Sequence, residues 1–380
     1  LLTKRMEYWV MNGYFYVLTT IDLFVLCFMC ILTNLSEALD KKQKRGFFFA
    51  FALIATISIL EVITLVVDGT AEKYRWVNIV SNYLGFGLSP AVSICLVYVL
   101  DKKTIVEKDM KLAMIFQIGY LILLAASIPF GLVFSVSADN EYARGPLFCI
   151  YVIAYFAAIS YLSLSTIKMS KQFQNRSKAL IYPLIVFLAA ETIIQILLPD
   201  LHVTWLCVTL LSVLYFIYCN EMWTQLDSLT GLLNQNSYLN RTNRMHECNG
   251  ILVVFDVDDF KQVNDLYGHL QGDVCLAEIA DCIKKAYAQY GYCYRIGGDE
   301  FCVLLKNRQK EMECIKKFLR LLENKREKYE FIPTVSYGSA ICSGEDILTV
   351  KDRPDRDMYM FKKERKERIA SDKTKNYRIL

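Results

Sequence analysis

The sequence predicts an α-helical membrane bundle of about seven spans followed by an α+β domain, an antiparallel sheet backed by helices. Three observations carry this. Of the 380 residues, 54% are hydrophobic and 22% charged, whereas an ordinary soluble domain is just under half apolar and about a quarter charged. The charge is also unevenly placed: Trp76–Leu100, Leu112–Ala138 and Val203–Asn220 contain no Asp, Glu, Lys or Arg, and charges become frequent only after Glu221. From Asn249 onward, short β-rich runs alternate with helical ones. The chain therefore reads as an apolar region, residues 1–220, joined to a soluble region, residues 221–380. A fully soluble protein, a disordered chain and a small disulfide scaffold are excluded.

A spanning helix needs about 20 apolar residues. The candidates are Tyr14–Leu35, Phe47–Asp68, Trp76–Leu100, Leu112–Val136, Leu147–Ile167, Leu180–Leu198 and His202–Tyr218. Connections alternate in charge. Lys41, Lys42, Lys44 and Arg45 fill the first, Lys102, Lys103, Lys108 and Lys111 the third, and Lys168, Lys171, Arg176 and Lys178 the fifth. Those around Glu72, Asp139–Glu141 and Pro199–Asp200 carry far fewer cations. Positive loops stay cytoplasmic, so the N-terminus is expected outside, with Lys4 and Arg5, and everything after Tyr218 inside. The first apolar run is long and no small-residue cleavage site follows it, so no cleavable signal peptide is expected.

Asp22, Glu61 and Glu191 fall within these spans, with Asn82 at a similar depth. Intramembrane carboxylates are costly and usually face a cavity or a partner. Together they suggest an outward-open pocket for a small external ligand, a cation by preference. The alternative is that each bonds a neighbouring helix and only fixes packing.

Thirteen cysteines are scattered through the chain. Cys27 and Cys30 lie one helical turn apart in an apolar run and read as packing; Cys248, Cys275, Cys282, Cys293, Cys302, Cys314 and Cys342 lack zinc-ligand spacing. Free thiols in a reducing compartment are expected. A net charge of +4 gives no reason to expect a nucleic-acid partner.

In the soluble region, Gly250–Asp256 is an unbroken apolar run, a buried strand. Asp273–Gln289 reads as an amphipathic helix, Tyr292–Ile296 and Glu300–Lys306 as strands joined through Gly297-Gly298-Asp299, Glu311–Lys328 as a helix, Pro333–Ser343 as a strand and Asp355–Arg368 as a basic helix. The order strand–helix–hairpin–helix–strand is a ferredoxin-like or polymerase-palm arrangement. It brings Asp256, at the end of the first strand, beside Asp299 and Glu300 at the hairpin turn. Clustered carboxylates repel unless a cation sits between them. Hard oxygen ligands select magnesium, which takes its remaining ligands from water and substrate phosphates. Gly297 and Gly298 allow close backbone approach to a nucleotide. The chemistry indicated is metal-assisted phosphoryl or nucleotidyl transfer. The competing reading is that Asp258 and Asp259 cap a helix and the glycines turn a hairpin.

Five segments decide between these. DSLTGLLN at Asp227–Asn234, FDVDDFKQVND at Phe255–Asp265, YGHLQGD at Tyr267–Asp273, RIGGDEF at Arg295–Phe301 and TVSYGSA at Thr334–Ala340 occur in order. The region from Asp227 to about Lys366 resembles the GGDEF family of diguanylate cyclases. The resemblance implies condensation of two GTP molecules to cyclic di-GMP and two pyrophosphates with magnesium, manganese being a possible substitute. It implies that Asp256, the Val257 carbonyl and Asp299 bind the metal, that Asp299 is also the base for the ribose 3′-hydroxyl, and that Glu300 completes the acidic site. Asn264 and Asp273 match guanine-reading positions, with His269 beside them and Gly297 and Gly298 against the nucleotide. Lys261 matches a group stabilising phosphate charge. Lys362 and Lys366, four apart on one helical face, match a late phosphate-binding pair.

Two departures stand out. Gln235 replaces the usual Arg of the first motif, which implies a weakened helix or interface contact. Ala288 and Gly291 occupy the positions of the family's RxxD inhibitory site, so feedback inhibition through it is not expected. Because each site holds one GTP and the reaction joins two, a homodimer is implied. The gap from Tyr218 to Asp227 is too short for a coiled coil, so the last span runs almost directly into the soluble region, and a change in pairing of the membrane regions would reorient the active sites. The alternatives are an inactive GGDEF receptor or scaffold and a transporter; the intact acidic and basic positions argue against the first, the lack of an evident inverted repeat against the second.

Overall fold

The computed structural model describes residues 2–100, 107–172, 186, 193, 204–243 and 248–345. The chain divides into two compact units, Leu1–Trp223 and Thr224–Leu380.

The first unit is built from α1 (Leu2–Leu35), α2 (Lys41–Val67), α3 (Arg75–Val99), α4 (Glu107–Ser127), a hairpin of β1 (Phe134–Val136) and β2 (Tyr142–Arg144), α5 (Cys149–Gln172) and α6 (Thr204–Thr224). Among the described residues, six helices are long and apolar enough to cross a membrane. The expected span Leu180–Leu198 lies outside the described residues.

Local chemistry sets the ends of these helices. Asp40 and Gln43 form a capping box at the start of α2: the Asp40 carboxylate accepts from the Gln43 N–H at 2.7 Å, and the Gln43 side chain accepts from the Asp40 N–H at 2.8 Å. Pro90 lies inside α3, and proline cannot donate to the carbonyl four residues back. That carbonyl, of Phe86, accepts instead from the Tyr120 hydroxyl of α4 at 3.2 Å, and Gln117 donates to the neighbouring Gly87 carbonyl at 2.7 Å. A Cβ at Gly87 would meet the end of the Leu121 side chain at 2.6 Å, so a larger residue there requires that leucine to move.

The span expected over Leu112–Val136 is corrected. α4 stops at Ser127, a short 3₁₀ turn containing Pro129 follows, Gly131 takes φ +61°, and Phe134–Val136 pairs as a strand with Tyr142–Arg144. An apolar run can continue through a turn into a buried strand, and hydrophobicity alone does not mark the change. The hairpin is stitched to the loop after α2. Asn140, buried and with φ +63°, donates its amide to the Val67 carbonyl at 2.6 Å, and Gly69 N–H donates to the Asn140 carbonyl at 2.8 Å. The Asp68 carboxylate accepts from the Tyr142 N–H and from Asn78.

The second unit contains α7 (Gln235–Thr242), β3 (Cys248–Val257), α8 (Phe260–Tyr267), α9 (His269–Tyr287), β4 (Gly291–Arg295), β5 (Glu300–Leu305), α10 (Glu311–Lys328) and β6 (Val335–Glu345). The sheet order is β4-β5-β3-β6 with every neighbour antiparallel, the result of a strand–helix–hairpin–helix–strand chain. β3 is apolar from Gly250 to Phe255 because both of its faces are covered there. Ile251, Val253 and Phe255 pack with Ile279, Ile283 and Phe318 of α9 and α10, while Leu252 and Val254 pack with Tyr238 of α7 and Tyr294. The helix expected from Asp273 begins at His269, since Gly268 (φ +83°) breaks the chain and restarts it there. The last strand begins at Val335 rather than Pro333, as proline has no N–H for a ladder. The basic helix expected at Asp355–Arg368 lies outside the described residues.

Among the described residues the cysteines are free, and those of the second unit are buried. Burial pushes the Cys275 and Cys293 thiols up to about 12, which makes them packing groups rather than nucleophiles at neutral pH. Cys27, read as packing, is exposed on α1.

Candidate active site

The site begins where β3 ends. In the ladder Asp256 lies directly opposite Glu300 of β5 on one side and Ser336 of β6 on the other. Directly paired residues share a face, so the two carboxylates stand together. Asp299 is bound to the same strand end through its backbone, its carbonyl accepting the Val257 N–H at 3.2 Å. The turn closes as Ile296 and Gly297 donate their N–H groups to the Glu300 carbonyl at 3.0 and 3.3 Å. Gly297 and Gly298 are exposed at its tip. A Cβ at Gly297 would press on the Glu300 side chain at 3.1 Å, whereas one at Gly298 would meet open space.

A network that the sequence did not signal holds this turn. Arg295 donates to the Gly298 carbonyl at 3.2 and 2.6 Å and reaches Asp227 at 3.1 and 3.3 Å. The Asp227 carboxylate also accepts from the Thr230 N–H and hydroxyl at 2.9 and 2.7 Å. Burial alone would raise the Asp227 carboxyl, but the Thr230 hydrogen bonds and the Arg295 charge outweigh it and hold Asp227 below the usual carboxylate range. Asp227 and Arg295 are 68 residues apart, so only the fold brings them together.

Asp258 ties β3 to its neighbour, and Asp259 makes no side-chain helix cap. Asp258 accepts from the Thr334 and Ser336 hydroxyls at 2.7 and 2.6 Å, fastening β3 to β6. Asp259 sits at the start of α8 in the left-handed region (φ +52°) with no side-chain cap bond.

The other candidate residues lie on α8 and α9. Lys261 is exposed in the first turn of α8, Asn264 is half-buried on the same helix, and His269 and Asp273 are exposed at the start of α9. Gly272 makes room for Asn264: a Cβ there would fall 2.0 Å from the Asn264 amide oxygen. Gln235, where the resemblance expects Arg, is exposed at the first position of α7. Lys362 and Lys366 lie outside the described residues.

Among the described residues, no group of three or more His, Cys, Asp or Glu gathers as a metal site. The candidate ligands Asp256, Asp299 and the Val257 carbonyl are all oxygens, and only two of them are carboxylates. Magnesium is bound through one or two carboxylates plus water and substrate phosphates, so this donor set suits it and does not suit zinc.

In the first unit, Glu61 and Asn82 line one cavity. Asp22 is buried against α2, where it accepts from the Ser58 hydroxyl at 2.6 Å, and is not part of that lining. Of the residues expected to share a pocket, Glu61 and Asn82 line this cavity and Asp22 does not. Glu191 lies outside the described residues.

Residues 224–368 match the family model for the diguanylate cyclase GGDEF domain. Diguanylate cyclase DgcZ of Escherichia coli K12 is 36% identical over 104 residues, 26% of this chain and 35% of that protein. Diguanylate cyclase DgcS of Shewanella oneidensis is 40% identical over 92 residues, 23% of this chain and 31% of its own. The chain thus spans about a third of the length of these curated relatives. Among solved structures, a microbial GGDEF domain studied with cyclic di-GMP is 30% identical, covers 37% of this chain and 94% of its own, and has a TM-score of 0.32. The GGDEF domain of DgcB from Caulobacter crescentus, in complex with c-di-GMP, is 25% identical over 37% of this chain and 91% of its own, with a TM-score of 0.32. The second unit of this chain carries a GGDEF domain, with diguanylate cyclases among its homologues.

Proposed function

We propose that this chain is a membrane-bound diguanylate cyclase that condenses two GTP molecules to cyclic di-GMP and two pyrophosphates, with a palm-like catalytic domain in the cytoplasm. The observation that carries this reading is the pairing of Asp256 with Glu300 at the strand end to which the Asp299 backbone is bound, in a turn fixed by Arg295. Residues 1–220 form the multi-pass membrane region, N-terminus outside. Phe24, Ile115, Ile122 and Leu164 on its helices are exposed, an apolar surface that a lipid bilayer rather than water would cover.

Asp256, Asp299 and the Val257 carbonyl hold the metal. Magnesium, or manganese, when bound neutralises charge on the nucleotide phosphates. Asn264 and Asp273 orient the guanine, with His269 alongside, and Gly297 and Gly298 admit the nucleotide close to the backbone. Asp299 takes the proton from the ribose 3′-hydroxyl of one GTP. That oxygen bonds to the α-phosphorus of the second GTP as its bond to pyrophosphate breaks, and the mirror-image attack closes the ring. Lys261 stabilises the developing phosphate charge, and Lys362 and Lys366 bind phosphate. Each site holds one GTP, so the chain works as a homodimer, and an external signal acts through the membrane region on how the two catalytic units face each other.

Detergent-solubilised full-length protein given GTP and magnesium is expected to yield cyclic di-GMP, and Asp299→Ala none. Equal product from both refutes the assigned chemistry. No product from wild type, including protein forced to dimerise, favours the non-catalytic scaffold reading.

A further inference from the structure

We infer that the first unit binds a small organic ammonium ion in the cavity between α2, α3, the β1–β2 hairpin, α5 and α6. This goes beyond the cyclase reading and does not depend on it. The cavity holds about 220 Å³, room for a small molecule rather than a peptide. One wall is aromatic: Phe86 meets Tyr151 edge to face at 4.8 Å and Phe148 at 5.7 Å. A cation is attracted to such rings, most strongly where water is excluded. Arg144 lies 4.8 Å from the Phe148 ring, so a cation already rests on this cluster.

The polar groups divide by role. Asp68 lines the cavity but uses one carboxylate oxygen to hold both the Tyr142 N–H (2.7 Å) and the Asn78 amide (2.9 Å), which fixes the hairpin. Glu61 lies seven residues earlier on α2, about 10 Å deeper along the helix, and it also lines the cavity. Asn82 donates its amide to the Asn78 backbone and side-chain oxygens at 2.9 and 2.8 Å, which turns its role toward the cavity to that of an acceptor. A carboxylate and an amide oxygen beside aromatic rings form a receptor for an N–H-bearing cation with an apolar body. The exposed Arg144 offers a further anchor to ligands that also carry a carboxylate.

Trp205 lines the same cavity and supplies a reporter. The experiment titrates phenethylammonium into the full chain in phosphatidylglycerol nanodiscs and follows tryptophan emission. The expected result is a saturable change that disappears in Trp205→Phe, weakens at least tenfold in Glu61→Gln, and is absent with phenylacetate, which has a similar body and the opposite charge. Repeating the titration in phosphatidylserine discs, which carry the same net charge as phosphatidylglycerol but an ammonium headgroup, separates the sources: weaker apparent affinity identifies a lipid ammonium headgroup as the natural competitor, and unchanged affinity identifies a free amine. Melting curves establish that Glu61→Gln folds; if it does not, the preference for phenethylammonium over phenylacetate in wild type decides, measured in molar salt that screens the anionic lipid surface. Equal binding of phenylacetate, unchanged affinity in folded Glu61→Gln, or a signal that persists in Trp205→Phe overturns the proposal.

Discussion

The two units treat their polar side chains differently. In the first, several polar groups are scaffolding: Asp22 holds Ser58, Asn78 holds Asp68 and Asn140, and Tyr120 serves the carbonyl left open by Pro90. In the second, the motif carboxylates separate into two groups. Asp227 and Asp258 are taken up by Thr230, Arg295, Thr334 and Ser336, whereas Asp256 and Glu300 face each other at the strand ends. Motif membership therefore does not assign a role. Where the fold places a carboxylate does, and the two classes should respond to substitution in opposite ways.

The largest effect is expected at Asp256. Asp256→Asn should lower cyclic di-GMP formation by a factor of about 10² or more, in line with loss of a charge stabilising the transition state. Its melting temperature in magnesium-free buffer should hold or rise, because like charges directly opposite on a sheet destabilise it. A clear fall in melting temperature would return Asp256 to the scaffold class.

Gly272→Ala comes next. The new methyl group would displace the Asn264 amide, so KM for GTP should rise about tenfold, the order expected for one lost hydrogen bond to substrate, with kcat less affected. An unchanged KM would mean that Asn264 does not read the base.

Asp227→Asn tests the scaffold directly. Its carboxyl is held low in the folded state. The stability it contributes is therefore fully present above the unfolded value of about 3.9 and is lost as pH falls through the lower folded value. Wild type should lose stability across that acid window more steeply than Asp227→Asn, and at neutral pH the variant should be less stable by about 1–3 kcal/mol. Parallel acid-denaturation curves would contradict this. The smallest effect belongs to Tyr120→Phe, which removes the donor to the Phe86 carbonyl and should cost about 0.6 kcal/mol, typical of hydrogen bonds between membrane helices; a refolding titration from denaturing detergent measures it.

How far the sequence could be read follows from the range of the forces involved. β3 was legible because its apolar run is covered on both faces. The acidic turn was legible because Gly297–Glu300 are contiguous and the order of elements dictates which strand lies beside them. The end of α4 was not, since Phe134 and Val136 are buried as a strand in the same apolar run that would extend a helix. Nor was the grip of Arg295 on Asp227, or the cradle Gly272 makes for Asn264, as both depend on contacts formed only after folding. Asp22 and Glu61 looked alike in sequence, and only the packing of α1 against α2 separates one from the cavity that the other lines.

The central claim is that Asp227 and Asp258 hold the site while the carboxylates at the strand ends perform its chemistry. The most direct test measures turnover and melting together for Asp299→Ala and Asp227→Asn in the full chain. The account predicts that Asp299→Ala melts like wild type and makes no cyclic di-GMP, and that Asp227→Asn melts earlier yet retains turnover at a temperature where it is folded. A folded Asp227→Asn with no turnover, or an Asp299→Ala that retains it, would contradict the division.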